Sequence, residues 1–396
     1  MSNKRLRAHS RAALLLSAAV GLAGILISSA VPATALPIFA ERYGFSCSAC
    51  HTAVPGLNAF GNSFRKAGFN LPNVPRQRDF PVALRFQETY MKDLLPSQNR
   101  RYNALAILIS TENFGADKSY SYFTRYIFGS QGAAGSLYYA WAQHVNPRTG
   151  VFERIGLFSL PLIANPTQRL DTITLQPAYS YTVGHSSANL ATPRLGLLFG
   201  QRNDFIDAEP AVSEDEYHGA AYGAPTPPSD FAQAFAVPEV FGSALFSLPH
   251  GFRAGFLCLR GSRSFQSRAT GATYYDSYRR EGVQASWVQG RFELTGQQLW
   301  GRDDNADGFG NPSGSSGGFV TFKYHATPHS YIGLRYDAVA NPSAARDYDL
   351  YAVFAPTAHS RFVLEHFKPV GNSSALAVTS GQLLFALPFA DPQKNR

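Results

Sequence analysis

The amino-acid sequence predicts an all-β fold, an outer-membrane antiparallel β-barrel of about 16 strands with a short N-terminal helical domain ahead of it. Three observations predict it. Charged residues are only 16% of the 396 residues and aromatics are 13%, whereas a soluble domain carries about a quarter of charged residues. From Asp79 onward the apolar pattern has period two rather than 3.6. The connections between the alternating runs are short and long by turns. That sorting suits a barrel with one short-turn rim and one long-loop rim, and a β-sandwich has no reason for it.

Residues 1–35 read as a targeting segment and not as fold. Lys4, Arg5, Arg7 and Arg11 precede an apolar run from Ala12 to Val31, and Ala33-Thr34-Ala35 is a small-x-small cleavage site. That order is the order of a secretory signal peptide. With its four basic groups removed, the formal charge of +8 falls to +4, so the basic pI does not point to a nucleic-acid partner. Export also sets the redox context. Three cysteines, Cys47, Cys50 and Cys258, are too few for a disulfide scaffold. Cys258 lies alone in the strand-like run Phe252 to Arg260 and reads as a small hydrophobe.

Residues 36–78 form the second unit. Cys47-Ser48-Ala49-Cys50-His51 is the C-x-x-C-H pattern of c-type haem attachment. Two thiols one turn apart reach the two vinyl groups of a single porphyrin, and the next residue offers an imidazole to the iron. Cys47 and Cys50 are therefore the expected covalent haem-binding residues, with His51 as the axial ligand of one haem iron. A zinc site would need a second cysteine pair, which the sequence lacks. Leu57, Phe60, Phe64 and Ala67 recur at spacings of three and four between Pro55 and Gly68, which predicts a helix with one apolar face for the porphyrin. The sixth ligand stays open between Met91, forty residues on, and histidines from His144 to His366.

Residues 79–396 form the barrel. Phe80, Val82, Leu84 and Phe86 share one face, opposite Arg85 and Gln87; Ile332, Leu334, Tyr336 and Ala338 alternate with Gly333, Arg335 and Asp337. Phe292, Leu294, Gly296 and Trp300 alternate with Glu293, Gln297 and Leu299, and Phe362 and Leu364 oppose Arg361 and Glu365. Short turns are expected at 116–118, 146–150, 249–251, 289–290 and 326–328, and long outer loops at 94–101, 161–171, 202–236, 264–274 and 301–318. The 202–236 stretch carries Asp204, Asp207, Glu209, Glu214, Asp215, Glu216 and His218, read as a solvated acidic loop able to attract cations. Asp303 to Gly308 matches half of a calcium loop, but Gly314 stands where the bidentate Glu belongs. A lumen of this width has room for residues 36–78 as a plug.

The run Pro37-Ile38-Phe39-Ala40, then Tyr43-Gly44-Phe45-Ser46-Cys47-Ser48-Ala49-Cys50-His51, then Pro55, Leu57, Asn58, Phe60, Gly61 and Phe64, resembles the N-terminus of fused monohaem cytochrome–porins of outer membranes. The resemblance covers about residues 37–72 and is architectural beyond them. It implies an electron-transfer protein that passes electrons from an extracellular donor, Fe(II) above all, through one c-type haem to a periplasmic carrier such as a soluble cytochrome. In enzymatic terms that would be an Fe(II):cytochrome c oxidoreductase. The alternative expectation is a diffusion porin with a haem-bearing plug or redox gate.

Overall fold

The computed structural model describes residues 82–388 apart from loop stretches (94–99, 116–117, 129–134, 165–171, 185, 215–230, 234–237, 268–270, 328, 341–344, 358–359 and 371–376), and part of 39–71. Residues 1–38, 72–81 and 389–396 lie outside the described residues, and the expected signal peptide with them.

Sixteen strands, all paired antiparallel with their neighbours, close into one barrel. They are β1 (Val82–Asp93), β2 (Arg100–Phe114), β3 (Tyr120–Ile127), β4 (Ser136–Val145), β5 (Val151–Phe158), β6 (Arg194–Arg202), β7 (Ile206–Ser213) and β8 (Glu239–Ser247). The second half is β9 (Phe252–Ser267), β10 (Thr273–Gln289), β11 (Phe292–Asp303), β12 (Ser313–Thr327), β13 (Ser330–Ala340), β14 (Ala345–Thr357), β15 (Ser360–Val370) and β16 (Val378–Pro388). The barrel closes where β16 pairs with β1, with Leu383 opposite Glu88. No helix among the described residues is long and apolar enough to cross a membrane, which says nothing of the strands.

On much of the wall the two faces of a strand are inverted relative to a soluble barrel. On β13, Tyr331, Arg335, Asp337 and Val339 are buried toward the lumen, while Ile332 and Leu334 point outward and are about half exposed. Outward Phe256, Val283, Val320, Leu350 and Leu364 continue the same apolar belt around the wall. Exposed aromatics border it near one rim (Phe114, Tyr120, Phe205, Phe252, Phe292) and near the other (Tyr90, Tyr275, Trp300, Tyr348). A polar interior, an apolar exterior and aromatic girdles are what a bilayer solvent selects.

Close packing across the wall uses glycine where an inward aromatic needs room. A Cβ on Gly333 would stand 2.2 Å from the ring of Tyr351 directly opposite, and one on Gly261 would stand 2.4 Å from the Tyr278 hydroxyl. Each ring lies over a bare backbone position.

The loop assignments need correction. The outer connection between β5 and β6 runs from 159 to 193, far longer than the expected 161–171, and it folds inward. The expected acidic loop 202–236 is not one loop. Residues 203–205 are a tight turn, and residues 206–213 are β7, carrying Asp207 and Glu209 into the lumen. Period-two alternation was masked there by Pro210 and by small residues. Residues 264–274 likewise continue β9 and begin β10, and the 301–318 loop shrinks to 304–312.

Candidate functional site

The N-terminal segment supplies the first candidate. Cys47–Cys50 is a single α-helical turn. Residues three apart on such a turn share a face, so the two cysteines are placed on one side of it. His51 follows at once and begins a two-stranded hairpin, His51–Ala53 against Gly56–Leu57. This corrects the helix expected from Pro55, because Gly56–Leu57 is extended; Phe60, Gly61 and Phe64 are helical. The rest of that predicted helix, and the side chains of Cys47 and His51, lie outside the described residues.

An aromatic cluster forms within the same segment. Phe39 stacks on Phe69 at 5.0 Å, Tyr43 and Phe39 meet the edge of Phe64 at 5.7 and 5.3 Å, and Phe45 contacts Phe60 at 5.6 Å. Cys50 is buried, and burial pushes its thiol above the ordinary range. Two cysteines on one helical turn, a histidine next in sequence and an aromatic wall fit the donor set of a c-type haem. Cys47 and Cys50 would hold it through thioethers and His51 through the iron.

Arg42 joins this segment to the barrel. Its guanidinium is buried, donates to the Thr111 carbonyl at 3.0 Å, and pairs with the Glu112 carboxylate at 3.1 Å. Both acceptors lie near the short-turn end of β2. Met91 sits toward the other end of β1, packed with Ile173, Tyr331 and Tyr351. Since Val82 is opposite Ser110, Met91 stands some eleven residue levels from Glu112, on the order of 36 Å at about 3.3 Å per residue. Met91 is a wall residue far from the Arg42 anchor.

The second candidate is the lumen. The described stretches of the β5–β6 connection, 159–164, 172–184 and 186–193, lie in the interior. Thr174 donates through Oγ1 to Asp349 on β14 at 3.2 Å, and β14 is eight strands round from β6, half of the sixteen. The Thr174 N–H donates to Glu365 at 3.0 Å and the Ile173 N–H bonds the same carboxylate. Arg335 holds Thr172 Oγ1 at 2.8 Å and Thr174 Oγ1 at 3.0 Å while pairing with Asp337 at 2.6 Å and Asp349 at 3.2 Å. Beyond this latch, a 3-10 turn (Pro177–Tyr179) is fixed by the Tyr179 hydroxyl on Gln297, and Tyr181 reaches Ser315 at 3.1 Å.

Apolar side chains seat the segment. Leu160, Leu162, Ala178, Tyr179 and Leu190 pack against Phe152, Leu198, Phe241 and Phe319 on the inner wall. Thus the hydrophobic core lies inside the barrel, between the crossing segment and one side of it. Elsewhere the lumen wall is charged: Arg202–Glu209 at 2.9 Å and Arg280–Asp303 at 2.9 Å are buried pairs, and Lys323–Glu293 at 3.0 Å is a largely buried one. The sequence placed Arg335, Asp337, Arg361 and Glu365 on polar strand faces. It gave no sign that residues 172–174 would cross to them, because a contact over some 190 residues leaves no local pattern.

The half-calcium loop holds no cage. Asp303 is paired with Arg280 and Asp304 with Arg302, on opposite faces of the wall. Asp307 accepts from the Asn311 side chain and from the Phe309 N–H, and these bonds hold its carboxyl below the ordinary range. Among the described residues no three His, Cys, Asp or Glu side chains gather as a metal site.

No protein-family model and no curated protein matches the chain. Solved structures do. The chain is similar to the anion-selective porin from Comamonas acidovorans, with a TM-score of 0.56 at 11% identity over 78% of this chain and all of that one. It is similar to Salmonella typhi OmpF at 0.55 and 8%, over 78% of this chain and 98% of that one. The outer membrane channel DcaP of Acinetobacter baumannii gives 0.55 and 8%, over 78% and 96%. At these identities the likeness is one of fold: a closed 16-strand antiparallel barrel of porin type.

Proposed function

We propose that this chain is an outer-membrane, porin-like channel protein that carries one c-type haem on its N-terminal segment, on the periplasmic side. The observation that carries the channel reading is the crossing segment 159–193, which narrows a polar lumen inside an apolar-belted barrel. Small polar solutes would pass beside it, met by the buried charges of the wall. Short turns on the Arg42 side suit the periplasmic rim and long loops the outer one. Single-channel recording in planar bilayers tests this. Discrete, ion-conducting steps support it, and a barrel that inserts without conducting refutes it.

A second reading follows from the C-x-x-C-H turn and its tie to the barrel. Here the protein is an electron conduit from extracellular Fe(II) to a soluble periplasmic cytochrome, an Fe(II):cytochrome c oxidoreductase. Haem bound at Cys47, Cys50 and His51 would supply reversible one-electron chemistry. The chain's own part is to keep water from that site with the Phe39, Tyr43, Phe45 and Phe64 rings, and to hold the segment on the wall through Arg42. The charge pairs of the lumen would steer a cationic donor in a salt-dependent way. Stopped-flow mixing of the oxidised protein with Fe(II) tests it. Rapid growth of the reduced c-haem band, lost in His51→Ala, supports the conduit. If dithionite reduces the protein and Fe(II) does not, the iron reading is wrong.

A further inference from the structure

Three arginines stand in a row on the outside of the barrel. Arg260 on β9 is directly opposite Arg279 on β10, and Arg279 is directly opposite Arg302 on β11. All three are exposed on the outward face, the face of Phe256, Val283 and Trp300. Like charges placed opposite one another across strands repel and destabilise a sheet, so such a row is costly unless an anion lies over it. Local carboxylates answer part of the charge. Glu281 approaches Arg260 at 3.6 Å, and Asp304 bonds Arg302 at 3.0 Å. Among the described residues no carboxylate pairs with Arg279, the middle member.

The level of the row on the wall identifies the occupant. Arg260 is eight residues above the girdle residue Phe252 on β9, about 26 Å along the strand at 3.3 Å per residue. Nine to eleven tilted residues are about what a strand needs to cross the hydrocarbon. One outward step below the row lie Cys258, Glu281 and Trp300, and below those the apolar Phe256 and Val283. Above it, on the outer-loop side, is exposed Tyr275. The row is therefore at the outer edge of the apolar belt, where lipid phosphates lie. Guanidinium groups bind phosphate oxygens through paired N–H donors, and the three here face away from the protein into that layer.

We propose that Arg260, Arg279 and Arg302 form a binding site for the phosphate of a phosphorylated lipid in the outer leaflet, seated with its chains on the belt below. The inference rests on the membrane-embedded reading of the barrel. Glu281 and Asp304 orient the flanking guanidiniums, and Arg279 is left to bridge to the lipid.

Native mass spectrometry of the full-length, detergent-folded protein tests the site, with lipid A as probe beside the same lipid stripped of its phosphates. Heat-modifiable electrophoresis checks that each variant is folded. The wild type should retain the phosphorylated probe and release the stripped one. Arg279→Gln should weaken retention by about fivefold, the effect of one charge at a lipid surface, and the triple Gln variant should abolish it. Equal retention by the triple variant would overturn the site. Displacement of the lipid by inorganic phosphate would replace it with a bare anion site and overturn the lipid assignment. Failure of the wild type to float with lipid vesicles would overturn the membrane reading itself, separately from the arginine comparison.

Discussion

Removing one carboxylate should unlatch the segment that crosses the lumen. Glu365 is fully buried and accepts the N–H groups of Ile173 and Thr174, while Asp349 and Arg335 hold the Thr174 hydroxyl. Glu365→Gln keeps the shape, but only its carbonyl oxygen still accepts, and its amide NH2 is turned against the other N–H. A hydrogen bond to a charged group contributes about 1.5–3 kcal/mol, and a buried donor left unpaired costs about 1–3 kcal/mol. The docked state should therefore lose about 2–4 kcal/mol, a shift of roughly thirtyfold to eight-hundredfold toward the undocked state. Two assays read it. Single-channel conductance should rise or become noisy, and trypsin should cut at Arg169, the one Lys or Arg of 159–193, faster than in the wild type. Unchanged conductance and unchanged cleavage in Glu365→Gln would refute the latch.

Further outcomes follow from the same geometry. Arg42→Ala removes the ion pair with Glu112 and the bond to the Thr111 carbonyl. It should speed proteolysis between residues 36 and 78 by roughly tenfold to hundredfold, for a loss of about 1.5–3 kcal/mol, without removing covalent haem. Cys50→Ala should abolish haem-dependent peroxidase staining of the denatured chain, whereas Cys258→Ala, an exposed wall position, should leave it unchanged. Gly333→Val should destabilise the barrel by several kcal/mol, read as a lower transition in heat-modifiable electrophoresis, because its side chain would overlap the Tyr351 ring.

The sequence told most about elements whose pattern is local. The outward row Ile332, Leu334 and Tyr336 against inward Arg335 and Asp337 is legible because strand side chains alternate with period two. The turns at 146–150 and 249–251 are legible from Asn, Pro and Gly. β7 was not, since Ile206-Asp207-Ala208-Glu209-Pro210 reads as an acidic loop until Arg202 and Arg253 are placed opposite its carboxylates. The crossing segment was invisible for another reason. Thr172 to Thr174 carries ordinary loop chemistry, and its partners Arg335, Asp349 and Glu365 lie on strands at the far side of the lumen. The haem motif is the converse case. Five consecutive residues propose the chemistry, and the structure adds the helical turn and the Arg42 anchor.

The most direct test of a haem-bearing membrane barrel is the haem content of the folded protein. The full-length chain would be extracted from outer membranes, isolated as its heat-modifiable folded form, and assayed by reduced pyridine haemochrome absorbance against protein mass. One covalently bound c-type haem per barrel is expected, and none in Cys47→Ala/Cys50→Ala. A folded barrel from a haem-competent host with no covalent haem would contradict it.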